Sequence, residues 1–157
     1  MVALEQDAVT FQRERFSEHL EEELLPLALE HNLEIGGVVS DVVVKVPRQM
    51  YEQLDANDLL RIYTIRENGE LKGYNIFAVI LHPEYNNLTA QHDAMFVHPS
   101  VRQGFNAMRF LRWCDEQLKQ DGVLFVAQNV TVEKDYSPIL KRLGYKPSET
   151  IYIKRLN

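Results

Sequence analysis

His98–Phe110 reads "HPSVRQGFNAMRF". An apolar run, "AMFV", stops just before it, and an amphipathic stretch, "MRFLRWCDEQLKQDG", starts inside it. The first has the β-rich character of a buried strand, and the second places Met108, Leu111, Cys114 or Asp115, and Leu118 along one helical side. The stretch is therefore a strand-to-helix corner, with Pro99, Ser100, Arg102 and Gly104 in the turn. A helix N-terminus exposes unpaired N–H groups and partial positive charge, so such a corner suits a phosphate. Gly104 lets backbone approach the ligand, Arg102 adds a full charge, and nothing acidic lies between His98 and Arg112. A plain strand–helix connector is the competing reading.

Outward from this corner the chain divides into recognisable units. Downstream, "VLFVAQNV" reads as a strand. "SPILKRLGY" reads as a short helix, with Ser137 as its cap, Pro138 in its first turn and Gly144 as its stop. "ETIYIKRL" reads as a last strand. Upstream, "TAQHDAMFV" is the strand that enters the corner, and "HPEYNN" before it is a loop. "LLRIYTI" and "YNIFAVIL" form a hairpin turned at Asn68-Gly69, the second arm apolar enough to be buried on both faces. "VPRQMYEQLDAND" is a short helix or a loop. "FQRERFSEHLEEELLPLALEHNLEI" carries Phe16, Leu20, Leu24 and Leu27 at helical spacing, with Pro26 expected to kink or divide it and Gly36-Gly37 to stop it. "VAL" near the start suggests a short strand. The order predicts an α/β (α+β) fold in one domain over residues 1–157, with a mixed, mostly antiparallel sheet flanked by helices.

Composition narrows the class. The chain has 157 residues, 45% hydrophobic and 25% charged, as expected of a globular protein with a real core. No apolar run reaches the roughly 20 residues of a membrane helix, and the N-terminus lacks the pattern of a signal peptide. Cys114 is the single cysteine, which rules out an internal disulfide and points to the cytoplasm. Residues 1–60 carry 4 Lys/Arg against 13 Asp/Glu, so the acidic half disfavours nonspecific nucleic-acid binding. The five His residues show no metal-binding spacing, so no metal is expected.

"VHPSVRQGFNAMRFL" resembles motif A of the GNAT superfamily of N-acetyltransferases, roughly V-x-P-x-x-R-x-x-G-x-G/A after a strand. The order of elements matches over nearly the whole chain, and "GYKPSETIYIKRL" is similar to the family's ending. "LPLALEHNLEI", "LKGYNIFAVILHPEY" and "HDAMFVHPSVRQG" resemble a branch common in bacteriophage genomes, which would place the protein in host cytoplasm. Phe105 and Ala107 stand where the motif's glycines are expected and Gly104 falls one place early, a shift seen in that branch.

The resemblance implies that acetyl-CoA is co-substrate and that an amine attacks its thioester directly. Arg102, Gln103, Gly104, Phe105, Asn106 and Ala107 would form the pyrophosphate loop, with Pro138 and Lys141 bordering the rest of the carrier. Backbone N–H groups near Phe96 and Val97 would face the developing oxyanion. Asp93 is the leading base, against the plainer reading of a carboxylate paired within the fold. Strand alternation turns neighbouring His92 to the opposite face. The family's usual acid Tyr falls at Leu140, which leaves Tyr136 as the candidate acid. The acceptor, a small amine or a protein, stays open, as does a homodimer. The alternative function is a GNAT-fold module that binds a host or viral protein without chemistry. Cys114, Phe110, Trp113 and Phe125 read as core, and Arg109 and Arg112 as solvated helix-face residues.

Overall fold

The computed structural model describes residues 9–36 and 41–157. The suggested "VAL" strand and Gly37 lie outside them. Five strands form one sheet in the order β1-β2-β3-β4-β5. They are β1 (Val9–Glu14), β2 (Leu60–Glu67), β3 (Glu70–Leu81), β4 (Leu88–Val97) and β5 (Phe125–Ala127). The first four are antiparallel, and β4 and β5 run parallel through Thr89↔Phe125, Ala90↔Val126 and Gln91↔Ala127. The helices are α1 (Glu18–Ile35), α2 (Arg48–Ala56), α3 (Asn106–Gln120) and α4 (Ser137–Arg142). None is long and apolar enough to cross a membrane.

The expected hairpin is present: Asn68 and Gly69 both take positive φ, 50° and 82°, as a two-residue turn between right-twisted strands requires. The β3 core from Tyr74 to Phe77 is buried, polar Asn75 included, as its almost wholly apolar run anticipated.

Several expectations are corrected. "FQRE" belongs to β1, not to the first helix, because Ser17 caps α1 by accepting from the Leu20 N–H at 3.1 Å and so fixes the helix start beyond it. Pro26 does not divide α1, which runs unbroken to Gly36. Ser137 is not the cap of α4; the Asp135 carboxylate takes that role by accepting from the Ser137 N–H at 2.8 Å. The fourth predicted strand shrinks to three residues, and its Phe125 is half exposed rather than core. "ETIYIKRL" forms no strand, and all of residues 146–157 are exposed.

Two cores flank the sheet. Leu20, Leu24 and Leu27 of α1 and Tyr51 of α2 pack on Ile62, Tyr74, Ile76 and Phe96. On the other side, Phe110, Cys114 and Leu118 of α3 pack on Tyr63, Phe77 and Val97. Arg66 ties the first side together by pairing with Glu14 of β1 at 2.9 Å and Glu23 of α1 at 2.7 Å. Burial of the apolar atoms supplies the main driving force, about 25 cal/mol per Å² removed from water.

Candidate active site

The corner itself is built from the end of β4. A single 3₁₀ turn, Pro99–Val101, follows the strand, and Gly104 turns the chain at φ 67° into α3. No atom lies within 4 Å of where a Gly104 Cβ would stand, so the glycine serves the backbone conformation and leaves open space beside it. Phe105 precedes α3 without side-chain capping and is 68% exposed. The first backbone bond into the helix runs from Arg109 N–H to the Phe105 carbonyl at 2.8 Å, and the previous donor in the corner is Arg102 N–H to Pro99 at 3.2 Å. Residues 103–108 thus present their amide N–H groups without an acceptor among the described residues. These unpaired donors occupy the positive end of a fifteen-residue helix.

The guanidinium expected to serve a phosphate is occupied. Arg102 grips both oxygens of Glu34 at 2.8 and 2.7 Å, donates to the Val97 carbonyl at 2.6 Å and lies 5.5 Å from the Phe96 ring centroid. One turn earlier on α1, Glu30 pairs with His98 at 3.3 Å. Two carboxylates on one face of α1 therefore clamp the corner.

The strands beside it part. Pairing of β4 with β5 ends at Gln91↔Ala127, leaving Ala94–Val97 without a paired strand on that side among the described residues. His98 N–H donates to Lys72 of the β3 side at 2.7 Å. Alternation then turns the Phe96 N–H toward β3 and those of Met95 and Val97 toward the opening. The Arg102 bond to the Val97 carbonyl agrees with that direction. Of the two predicted amide positions, Val97 faces the gap and Phe96 does not. Helix α3 starts at the C-terminal end of β4, so the free amides and the open gap lie at the same end of the sheet.

Asp93 is the extra residue of a β-bulge: Ile76 pairs with Ala94 and Phe77 with His92, leaving Asp93 unopposed. The bulge aims Asp93 and Ala94 together into a cavity of about 300 Å³ between α1, residues 44–47, α2 and the sheet. The buried Tyr51 hydroxyl donates to the exposed Asp93 carboxylate. Burial, then the Asp93 charge, pushes the Tyr51 phenol well above its ordinary range and keeps it a donor. His31 and Tyr74 line the same cavity, 3.1 Å apart between Nδ1 and the phenol oxygen. Burial drives His31 down to about 4, so it is neutral near pH 7.

As alternation required, His92 faces away from Asp93. Its Nδ1 lies 2.8 Å from Gln128 Oε1 and 3.1 Å from the Asn129 amide, bridging the gap where the strands diverge. Tyr136, just before α4, donates to the Asn129 carbonyl at 2.8 Å, and burial raises its phenol and keeps it protonated. Leu140 is buried in the structure, 6% exposed. Pro138 and Lys141 are exposed on α4, and neither has a hydrogen bond or ion pair to the corner among the described residues. Cys114 is fully buried, with its thiol pushed up by burial, as suits a core residue and not a nucleophile. No group of three His, Cys, Asp or Glu among the described residues could hold a metal ion.

Tyr51, His31 and Tyr74 escaped sequence reading. Their only signal is an aromatic or imidazole on an otherwise apolar face, which does not distinguish a cavity from a core.

No protein-family profile and no curated protein matches the sequence. Solved structures match the fold along almost the whole chain. A ribosomal-protein-alanine N-acetyltransferase from Brucella melitensis biovar Abortus is 17% identical, with TM-score 0.71 over 95% of this chain and 99% of that one. A transcriptional regulator from Bacillus halodurans is 12% identical, with TM-score 0.75 over 95% and 100%. A predicted acetyltransferase from Clostridium acetobutylicum, solved with acetyl-CoA, is 13% identical, with TM-score 0.72 over 94% and 96%. The chain therefore has the GNAT fold: a mixed, mostly antiparallel sheet flanked by helices, shared with N-acetyltransferases of low sequence identity.

Proposed function

We propose that the protein is a GNAT-type N-acetyltransferase, using acetyl-CoA to acetylate an amine of a small molecule or a protein. The observation that carries this reading is the run of free amides at residues 103–108, opening where β4 and β5 part. The donor set fits a pyrophosphate: it consists of amide N–H groups at the positive end of α3 and is open at Gly104. When bound, acetyl-CoA supplies an activated acyl group.

The chain's own groups then divide the work. The amides of Gln103, Gly104, Phe105, Asn106 and Ala107 hold the doubly charged linkage. Met95 and Val97 N–H groups point into the strand gap, where they can meet a developing oxyanion. Asp93 takes a proton from the amine, held in place by Tyr51. Tyr136 is the nearest candidate to return a proton to the leaving sulfur, after releasing Asn129. Arg102 acts by shaping the corner through Glu34, and Pro138 and Lys141 border the outer part of the carrier. The phage-type branch, and with it a host-cytoplasmic location, is supported by the sequence stretches quoted above.

Titration calorimetry with acetyl-CoA tests the reading. Saturable binding with one site is expected, and no heat at millimolar ligand removes it.

A second reading is favoured by one observation, the buried Leu140 where the resemblance expects an acid Tyr. In it the fold binds a host or viral protein and performs no transfer. Radiolabelled acetyl transfer to any member of an amine and protein panel would exclude it.

A further inference from the structure

The cavity beside Asp93 has walls that select as well as a carboxylate that reacts. Its volume of about 300 Å³ lies at the lower end of small-molecule pockets, which run from about 300 to 1,000 Å³. Apolar side chains reach it from three directions: Leu24 and Ala28 of α1, Val44 and Val46 of the segment before α2, and Ile76 and Ala94 of the sheet. The polar groups form two pairs, Tyr51 with Asp93 and His31 with Tyr74. Asp93 is the only carboxylate on these walls among the described residues. Its Oδ2 accepts from the Tyr51 hydroxyl, while Oδ1 has no hydrogen-bond partner among the described residues.

Charge in the cavity is sparse. Burial raises the Tyr51 and Tyr74 phenols and keeps them protonated, and it lowers the His31 imidazole to about 4, so that ring is neutral at pH 7. Asp93 can therefore pair with one ammonium, through its free oxygen. A second ammonium carried into the cavity would lie against Leu24, Ala28 and Ile76 with no counter-charge to offset its desolvation. Lys45, on the same wall and without an ion pair among the described residues, adds repulsion. A free α-amino acid would set its own carboxylate against Asp93. The slender stem of a protein lysine would leave facing apolar groups without contact. One positive charge on a compact apolar body satisfies every wall at once.

We propose that the acceptor is a primary monoamine with a compact alkyl or aryl body, its ammonium on Asp93 Oδ1 and its body between Leu24, Ala28, Val46 and Ile76. The inference rests on the acetyltransferase reading and narrows it: a small molecule is favoured over a protein, and a monocation over a polyamine. Recognition of the amine can be measured as binding, apart from any transfer.

Titration calorimetry of the full chain, with and without coenzyme A, tests it with four probes: 2-phenylethylamine, 2-phenylethanol, spermidine and a lysine-containing peptide. 2-Phenylethylamine should bind at one site, tighter than each of the others by about tenfold or more. Asp93→Asn should remove its advantage over the uncharged alcohol. Ala28→Leu, a substitution that suits a helix, fills the cavity and should weaken 2-phenylethylamine by about tenfold or more, with melting and coenzyme A binding unchanged. Ala28→Ser should keep the affinity. Spermidine or the peptide binding as tightly as 2-phenylethylamine overturns the proposal. So does 2-phenylethylamine binding that Ala28→Leu leaves intact, or its failure to bind in either condition. A transfer assay on the same probes separates this inference from the one beneath it. Acetylation of spermidine or the peptide in preference to 2-phenylethylamine overturns the acceptor class and leaves the acetyltransferase standing. The expected binding order with no acetylation of any amine overturns the acetyltransferase and leaves only the cavity's selectivity.

Discussion

The two faces of the sheet use one alternating pattern for different ends. Toward α3, residues 63, 65, 77 and 79 meet Phe110, Cys114 and Leu118 in a continuous apolar layer, with Tyr63, Phe77 and Phe110 wholly buried. Toward α1 and α2, the intervening residues 62, 74 and 76 meet leucines only part of the way. Beyond them lies the cavity with Tyr51, Asp93, His31 and Tyr74 on its walls. One face was filled and the other left open around polar groups. The difference teaches that the bulge at Asp93 is what breaks the symmetry: it turns two successive residues of β4 to the same side, where a regular strand would have hidden one of them.

The largest effect should come from breaking the filled face. Phe110→Ala removes a fully buried ring that sits 5.4 Å from Phe11. Loss of about 3–5 kcal/mol is expected from denaturant unfolding. Below the transition, acetyl-CoA affinity should be unchanged, and a comparable loss of affinity would show that the two faces do not act separately.

Breaking the open face should act on rate instead. Asp93→Asn is expected to lower turnover by about 10²–10⁴-fold, read as CoA release, with the KM for acetyl-CoA preserved. Asp93 is exposed, so its stability should change by no more than about 1 kcal/mol. A large fall in stability with full turnover would reassign it to the pairing role that the sequence also allowed.

The same contrast explains what could be read in advance. The β-rich runs of β2, β3 and β4, the Asn68-Gly69 turn and the apolar stripe of α3 all declare themselves because each pattern is carried within its own element. The corner was legible for a related reason: Gly104 and the absence of carboxylates are local. The occupation of Arg102 was not legible, because Glu34 is 68 positions away in sequence. Nor was the Tyr51–Asp93 contact, which depends on a bulge that no composition signals. "FQRE" was misread because Phe16, which packs under α1, continues a helical spacing that Ser17 interrupts. "ETIYIKRL" has the propensity of a strand, but propensity supplies no partner.

A pH series sharpens the comparison at intermediate size. His31 lies on the open face and is lowered first by burial, then by the charge of His92, to about 4. In the unfolded chain an imidazole titrates near about 6.5. Between those values the unfolded state binds a proton that the folded state refuses. Stability contributed by the neutral ring is therefore complete above about pH 6.5 and is lost as pH falls toward about 4. The loss across that window should be up to about 3 kcal/mol, measured as the denaturation midpoint at successive pH values. His31→Gln should reduce the slope between about pH 6.5 and 5, leaving the part that comes from His92, which burial also lowers. An unchanged slope would mean that the cavity admits enough water to solvate the imidazolium.

The smallest effect concerns the corner where the two faces meet. Arg102 was expected from sequence to contribute its charge to a phosphate, and the structure spends that charge on Glu34 and the Val97 carbonyl. Arg102→Gln should destabilise the fold by about 1–2 kcal/mol, since the pair is only partly buried and solvent screens part of its attraction. The amides of 103–108 do not depend on the guanidinium for their direction, because Gly104 and the start of α3 set it. Acetyl-CoA affinity should accordingly move by less than about tenfold, or about 1.4 kcal/mol. A larger loss of affinity, with Glu34→Gln leaving binding intact, would show that Arg102 leaves its partner and turns to the ligand. The corner would then bind by side-chain charge, and backbone donors alone would not be enough.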